Sequence, residues 1–118
     1  MGVFSVQIEI GDPNASRYEP FEALVDTGST NTVVPADVLR RLGVTPYTKS
    51  RFELANGSET ELDVGRTWVR LNGNAEFTQV VFGEGDYSPI LGAITLEEMG
   101  LVVDPIGQRL VPRTKYLK

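Results

Sequence analysis

The stretch Phe21-Glu-Ala-Leu-Val-Asp26-Thr27-Gly28-Ser29-Thr30-Asn31-Thr32-Val33-Val34-Pro35 decides the fold. Apolar residues lead up to a single carboxylate, Asp26. The chain turns over Thr27-Gly28-Ser29, and a second apolar, β-branched run follows. A strand that stops on Asp just before Gly delivers the carboxylate to a defined point at a strand end. Asp-Thr-Gly by itself carries little weight, because Asp and Gly are ordinary turn residues and the triplet arises readily by chance. Its meaning depends on whether the rest of the chain supplies what a lone catalytic Asp needs.

Composition narrows the chemistry. A chain of 118 residues fits one domain, spanning 1–118, and its 41% hydrophobic content predicts a folded globular state. There are no cysteines, which excludes a disulfide framework, a thiolate zinc site and a cysteine nucleophile. There are no histidines either, so Ser-His and Cys-His machinery is excluded and acid–base chemistry near neutral pH falls to carboxylates. No metal and no cofactor are expected. The net charge of −5 argues against a nucleic-acid partner. The one basic run, Arg109, Arg113, Lys115 and Lys118, reads as a solvated end. No apolar run reaches the roughly 20 residues of a membrane span. The N-terminus also lacks a basic region followed by a long apolar one, so a soluble cytoplasmic protein is expected.

Upstream of the opening stretch, Val3 to Ile10 alternates apolar and polar residues, as a half-buried strand does. Gly11-Asp-Pro-Asn14 supplies a turn, and Tyr18 to Val25 resumes as a strand. The resulting hairpin carries Asp26 at its far end.

Downstream, Asn31 to Val34 reads as a buried strand. Pro35 opens a helix with Val38, Leu39 and Leu42 on one face, Arg40 and Arg41 turned outward, and Gly43 as its stop. Lys49 to Ala55 and Ser58 to Val64 flank Asn56-Gly57, which predicts a hairpin with a type I′ turn. This hairpin is polar, with Lys49, Arg51, Glu53, Glu59, Glu61 and Asp63 alternating with few apolar residues. It is either an ordinary two-stranded edge or a mobile flap over a cleft. Arg66 to Leu71 and Ala75 to Phe82 form another hairpin around Asn72-Gly73-Asn74, with Trp68 expected as a core or interface anchor. Tyr87 to Gly92 is an apolar run. Thr95-Leu-Glu-Glu98 matches a capping box, predicting Thr95 as N-cap of a short helix that stops at Gly100. Leu101 to Asp104 and Gln108 to Pro112 close the chain as strands. The class is mainly β with one or two short helices.

Two segments share one plan. In the first, a strand leads to the Asp-Thr-Gly bend and a helix closed by Gly43 and Val44. In the second, a strand leads to Leu91-Gly92 and a helix closed by Gly100 and Leu101. An internal pseudo-repeat is expected, with the acid in the first copy only and Gly92 allowing the second bend to pack closely on the first loop. The alternative is two unrelated strand–helix units.

Ala23-Leu-Val-Asp26-Thr27-Gly28-Ser29, the Asn56-Gly57 hairpin, and Pro89-Ile-Leu-Gly92 before a helix resemble, in order and spacing, the retropepsin-like aspartic proteases, from about Val3 to Gln108. That resemblance implies a closed retropepsin-like β-barrel with a flap hairpin, active as a homodimer to which each subunit gives one aspartate. It implies Asp26 as the catalytic residue, Thr27 as a lock between the two loops, and Gly28 as the point where substrate backbone approaches. Ala55, Asn56, Gly57 and Ser58 of the flap, with Leu91 and Gly92 of the wall, would bind an extended polypeptide.

The arithmetic agrees with a dimer. Aspartic protease chemistry needs two carboxylates sharing a proton, since like charges ~3 Å apart cannot both ionise, and this chain carries one Asp-Thr-Gly. Ser29, where retroviral enzymes commonly carry Ala, is expected to hydrogen-bond the carboxylate and favour an acidic optimum. Thr30 departs from the acidic residue of the retroviral enzymes. Residues 109–118 form either a terminal interface strand or a tail. The competing readings are a non-catalytic dimeric peptide-binding or dimerisation module of the same fold, and a plain structural β domain.

Overall fold

Alternating burial organises the first hairpin. In the computed structural model, which describes residues 3–114 and 117, β1 (Phe4–Gly11) turns Ile8 and Ile10 into the core, and β2 (Tyr18–Val25) does the same with Ala23 and Val25. The two strands pair antiparallel from Phe4 opposite Val25 to Gly11 opposite Tyr18. Asp12 closes the connection, its carboxylate accepting from the Ser16 and Arg17 amides at 2.7 and 2.9 Å. Lys115 and Lys118 of the basic run lie outside the described residues.

The chain continues through β3 (Thr32–Pro35), α1 (Ala36–Arg41), β4 (Thr48–Glu53), β5 (Glu59–Leu71), β6 (Asn74–Gly83), β7 (Ile90–Leu91), α2 (Ala93–Met99), β8 (Leu101–Asp104) and β9 (Arg109–Pro112). The fold is mainly β, as expected. Seven strands form one sheet in the order β1-β2-β7-β3-β6-β5-β4, and β1 also pairs with β5 through Glu9–Arg70 and Ile10–Val69. The core lies inside this sheet, where Ile10, Val25, Val34, Val69, Val80 and Leu91 meet Leu39 of α1 and Leu96 and Met99 of α2. Among the described residues no helix is long and apolar enough to cross a membrane.

Helix α1 ends as the sequence predicts. Gly43 takes φ +81°. Its amide bonds the Arg40 carbonyl while the Val44 amide reaches back to Leu39, the paired C-terminal bonds that a left-handed glycine permits. Gly100 closes α2 in the same left-handed conformation, at φ 69°.

The start of α2 differs from expectation. The helix opens at Ala93 with Gly92 as N-cap, so Thr95 lies inside it, fully buried, and caps nothing. Its hydroxyl joins a buried chain that has only one consistent direction. The Glu98 carboxylate, an acceptor, takes the Thr78 proton at 2.6 Å. Thr78 therefore accepts from Thr95 at 2.9 Å, and Thr95 accepts from Thr32 at 2.5 Å. Thr32 in turn accepts the Gly92 amide proton at 3.0 Å. A buried hydroxyl left unpaired is costly, and this network outweighs the local capping preference.

The two Asn-Gly pairs form different turns. Asn72 and Gly73 both have positive φ, at 52° and 81°, and Leu71 pairs directly with Asn74, the type I′ pattern. At the other hairpin only Gly57 is left-handed, at φ +86°. The Gly57 amide bonds the Leu54 carbonyl and the Leu54 amide bonds Ser58, so Ala55-Asn56-Gly57 is a three-residue loop rather than the expected type I′ turn.

Two further expectations change. The strands expected over Ser58–Val64 and Arg66–Leu71 merge into one unbroken strand, β5, which starts at Glu59 and runs through a buried Gly65. Trp68 lies on the outer face of that strand, half-buried, while its neighbours Thr67 and Val69 point into the core. It anchors there instead, donating to the Pro13 carbonyl at 3.1 Å and packing on Phe77.

The last strands stand apart. β8 and β9 pair only with each other, as a two-stranded sheet, so residues 109–112 form a hairpin arm among the described residues. Asp104 holds its turn by accepting from the Ile106 and Gly107 amides and from Arg109 Nε at 3.1, 3.2 and 3.2 Å.

Candidate active site

Asp26 follows immediately on β2, whose last two residues pair in parallel with β7. Its own amide donates to the Leu91 carbonyl at 3.3 Å, and the Leu24 amide donates to Pro89, so the segment leading to Gly92 fixes the height of the carboxylate. Asp26 Oδ1 accepts the Gly28 amide at 3.0 Å, and the Asp26 carbonyl accepts the Ser29 amide at 3.0 Å. The loop thus orients its own carboxylate, while Asp26 stays half-buried and Thr27 and Gly28 are exposed.

The two bends interlock. Backbone amides of Ala93 and Ile94 donate to the carbonyls of Ser29 and Thr30 at 2.8 and 3.0 Å. A Cβ on Gly92 would come within 2.4 Å of the Asn31 carbonyl carbon and oxygen, so only glycine permits the approach. Of the residues expected in the substrate wall, Leu91 is fully buried and Gly92 is pressed against Asn31. Both sit behind the Asp26 loop and support it from there, rather than facing open space.

The Ser29 hydroxyl is also not where the sequence suggests. It donates to the Asn31 carbonyl at 2.9 Å, so its proton is turned away from Asp26, and the acidic optimum expected from a Ser29–Asp26 bond loses that basis.

A cleft of about 590 Å³ opens beside this loop. Gly28, Ser29, Thr30 and Asn31 form one end, and Phe52, Leu54, Thr60 and Leu62 of the β4–β5 hairpin form the wall above. Val33, Val81 and Tyr87 lie opposite. The hairpin therefore borders a cleft, as a flap would. Its expected contact residues Ala55, Asn56, Gly57 and Ser58 are exposed at the tip and do not line the cavity of the single chain. Asn56 Oδ1 instead accepts from the Ser58 amide and hydroxyl at 3.0 and 2.6 Å.

Phe52, Leu62 and Tyr87 were not singled out from the sequence as site residues. The signal available was the apolar alternation of the hairpin strands, which reads equally as core. Burial, and secondarily the charge of Glu84, push the Tyr87 phenol above its ordinary value.

A second, shallower groove of about 400 Å³ flanks the loop on its other side, where Thr27 meets Leu96, Leu101, Val102, Val103 and Arg113. The exposed edge of the Asp26 loop and the apolar strand β8 therefore share one face.

A model of the aspartyl protease family matches residues 6–104. Among solved structures, the chain is similar to the EIAV protease complexed with the inhibitor HBY-793, at 19% identity and TM-score 0.62, with 93% of each chain covered. It is similar to the retroviral protease-like domain of Ddi1 from Leishmania major, at 21% identity and TM-score 0.62 over 95% of this chain and 89% of that one. It also resembles a retropepsin-like aspartic protease from Rickettsia conorii, at 18% identity and TM-score 0.59 over 88% of this chain and 78% of that one. Identities this low establish a common fold. A search of curated proteins finds no match.

Proposed function

The chain belongs to the aspartyl protease family, and from that premise we propose that it is an aspartic endopeptidase whose active form is a homodimer. Family and fold support a protease-like function. The observation that carries the finer reading is the Asp26 carboxylate, held by the Gly28 amide at the edge of a cleft that a hairpin borders. One chain offers one such carboxylate, and the chemistry needs two, so a two-fold axis brings Asp26 against its mate.

In the dimer one carboxyl is protonated and the other ionised, and the two titrate as a pair. The ionised one takes a proton from water as the water oxygen bonds to the peptide carbonyl carbon. The protonated one hydrogen-bonds the carbonyl oxygen. As the C–N bond breaks, a proton passes to the leaving amine, giving an acid and an amine with no covalent intermediate. Substrate lies in the cleft as an added strand under the flap. The groove shared by Thr27 and Leu101–Val103 is the face on which the second chain docks, since it adjoins the exposed edge of the Asp26 loop.

Peptide cleavage by purified wild type and Asp26→Asn across about pH 3 to 8, with sedimentation at falling concentration, tests this. Cleavage by a dimeric wild type and background rates for Asp26→Asn are expected. Equal cleavage by both sinks the reading. Dimers without cleavage support a non-catalytic peptide-binding module instead.

A further inference from the structure

The outer face of the sheet carries an apolar surface of its own beside the Asp26 loop. On β3, Val34 points into the core, so Val33 and Pro35 on either side of it share the opposite face. Val33 lines the cleft. Pro35 lines a separate groove of about 400 Å³, with Phe21, Val38, Ser88 and Pro89. Pro35 is also the ladder partner of Gly83, and Gly83 lines the cleft. Cleft and groove therefore lie along one face of β3 and meet at the Pro35–Gly83 end of the strand pair. Among the described residues, Tyr87 alone lines both.

A missing side chain seats the Tyr87 ring at that junction. A Cβ on Gly83 would overlap the Tyr87 hydroxyl and come within 2.7 Å of Val33 Cγ1 and 3.0 Å of Tyr87 Cζ. The phenol thus lies over the Gly83 Cα, beside Val33, where glycine is needed for space. Its burial there raises its pKa. The loop that carries the ring is fixed two residues on, since the Leu24 amide donates to the Pro89 carbonyl at 2.9 Å.

We propose that Tyr87 is a specificity-determining residue. Its ring, seated on Gly83, ends the cleft and limits the length of the apolar substrate side chain that can lie along Val33, Val81, Phe52 and Leu62. The proposal rests on the endopeptidase reading for its substrate, a polypeptide. A longer side chain meets the ring, and a filled apolar site does not yield readily to added bulk. Without the ring the cleft runs on into the groove, where Phe21, Pro35 and Val38 offer further apolar surface.

A peptide series carrying leucine, phenylalanine or biphenylalanine at each position flanking the scissile bond tests the assignment. At one position wild type should disfavour biphenylalanine against leucine in kcat/KM by about tenfold, the scale on which overpacking is resisted. Tyr87→Ala should bring that ratio toward one, and Tyr87→Phe, which keeps the ring, should preserve it. An unchanged ratio in Tyr87→Ala overturns the size limit and leaves the endopeptidase standing. So does loss of the ratio in Tyr87→Phe, or wild type that discriminates at no position. Binding of the same peptides to Asp26→Asn and to Asp26→Asn/Tyr87→Ala, read by fluorescence anisotropy, separates the two ideas. If wild type cleaves none of the peptides while Tyr87→Ala selectively tightens the biphenylalanine peptide, the endopeptidase falls and the size limit stands. Equal binding by the two variants overturns the size limit.

Discussion

The Asp26 bend and the Gly92 bend each follow a strand, but the first leads through β3 to α1 while the second opens α2 directly, and they end in opposite surroundings. Thr27 and Gly28 are open to solvent, whereas Leu91 and Gly92 are buried. The first bend carries a carboxylate that, among the described residues, accepts a hydrogen bond from its own loop's Gly28 amide. The second carries no acid and holds the first through three backbone hydrogen bonds and the threonine chain. A carboxylate proposed to act on substrate needs a fixed position more than it needs many contacts, and the buried Gly92 bend supplies that position.

Substituting the glycines breaks this asymmetry most directly. Gly92→Ala forces a methyl into the Asn31 backbone, which cannot rotate aside. We expect a loss of about 3 kcal/mol or more, seen as a large drop in the urea midpoint or as failure to fold. Gly28→Ala meets only the Asp26 carboxylate, at 3.2 Å, and its backbone needs no positive φ. It should keep stability within about 1 kcal/mol while peptide cleavage falls sharply. Similar stability losses at both glycines would erase the distinction.

Thr95→Val is next in size. It removes the central hydroxyl of the chain from Gly92 to Glu98 and leaves Thr32 with no acceptor and Thr78 with no donor within that chain. A cost of about 1–3 kcal/mol is expected in chemical denaturation. Thr95→Ser, which keeps the hydroxyl, should recover the part due to hydrogen bonding.

The smallest effect concerns pH and the arm that follows α2. Amide bonds from Gly107 and the Arg109 contact hold the Asp104 carboxyl below its ordinary 3.8. A depressed carboxylate contributes stability above its unfolded pKa, and that contribution is lost as pH falls through the folded value. Asp104→Asn should lower Tm slightly near pH 6 and match wild type near pH 2. Glu9 and Glu19, depressed by Arg70 and Arg41, add the same acid-side slope to the wild-type curve.

Much of this was legible from local pattern. Strands β1 and β2, the Gly43 and Gly100 stops and the Asp26 bend follow from alternation and glycine chemistry, which act over a few residues. Gly92 was legible as a close approach because nothing else explains a glycine before a helix that has no other breaker. The errors share one cause. Thr95 matches a capping box in sequence, but its hydroxyl is claimed by Thr32 and Thr78, from strands far away in the chain. Asn56-Gly57 and Asn72-Gly73 are the same dipeptide. The first takes Ala55 into its loop while the second closes a fully paired ladder, and the dipeptide alone does not encode that choice. Ser29 looked like a partner of Asp26 by adjacency, yet its hydroxyl finds a backbone carbonyl two residues on. Phe52 and Tyr87 border the cleft only because the sheet brings the flap and the 83–88 loop to one side.

The exposed edge at Thr27 has a consequence in population terms. If that edge receives a second chain, each active unit draws two loops from one pool, and chains assort by proportion rather than in isolation. Mixing wild type with an equal amount of Asp26→Asn would leave about a quarter of the dimers with both carboxylates, not half, because the intact fraction goes as the square of the wild-type share. A defect in this loop would therefore be felt beyond the chain that carries it.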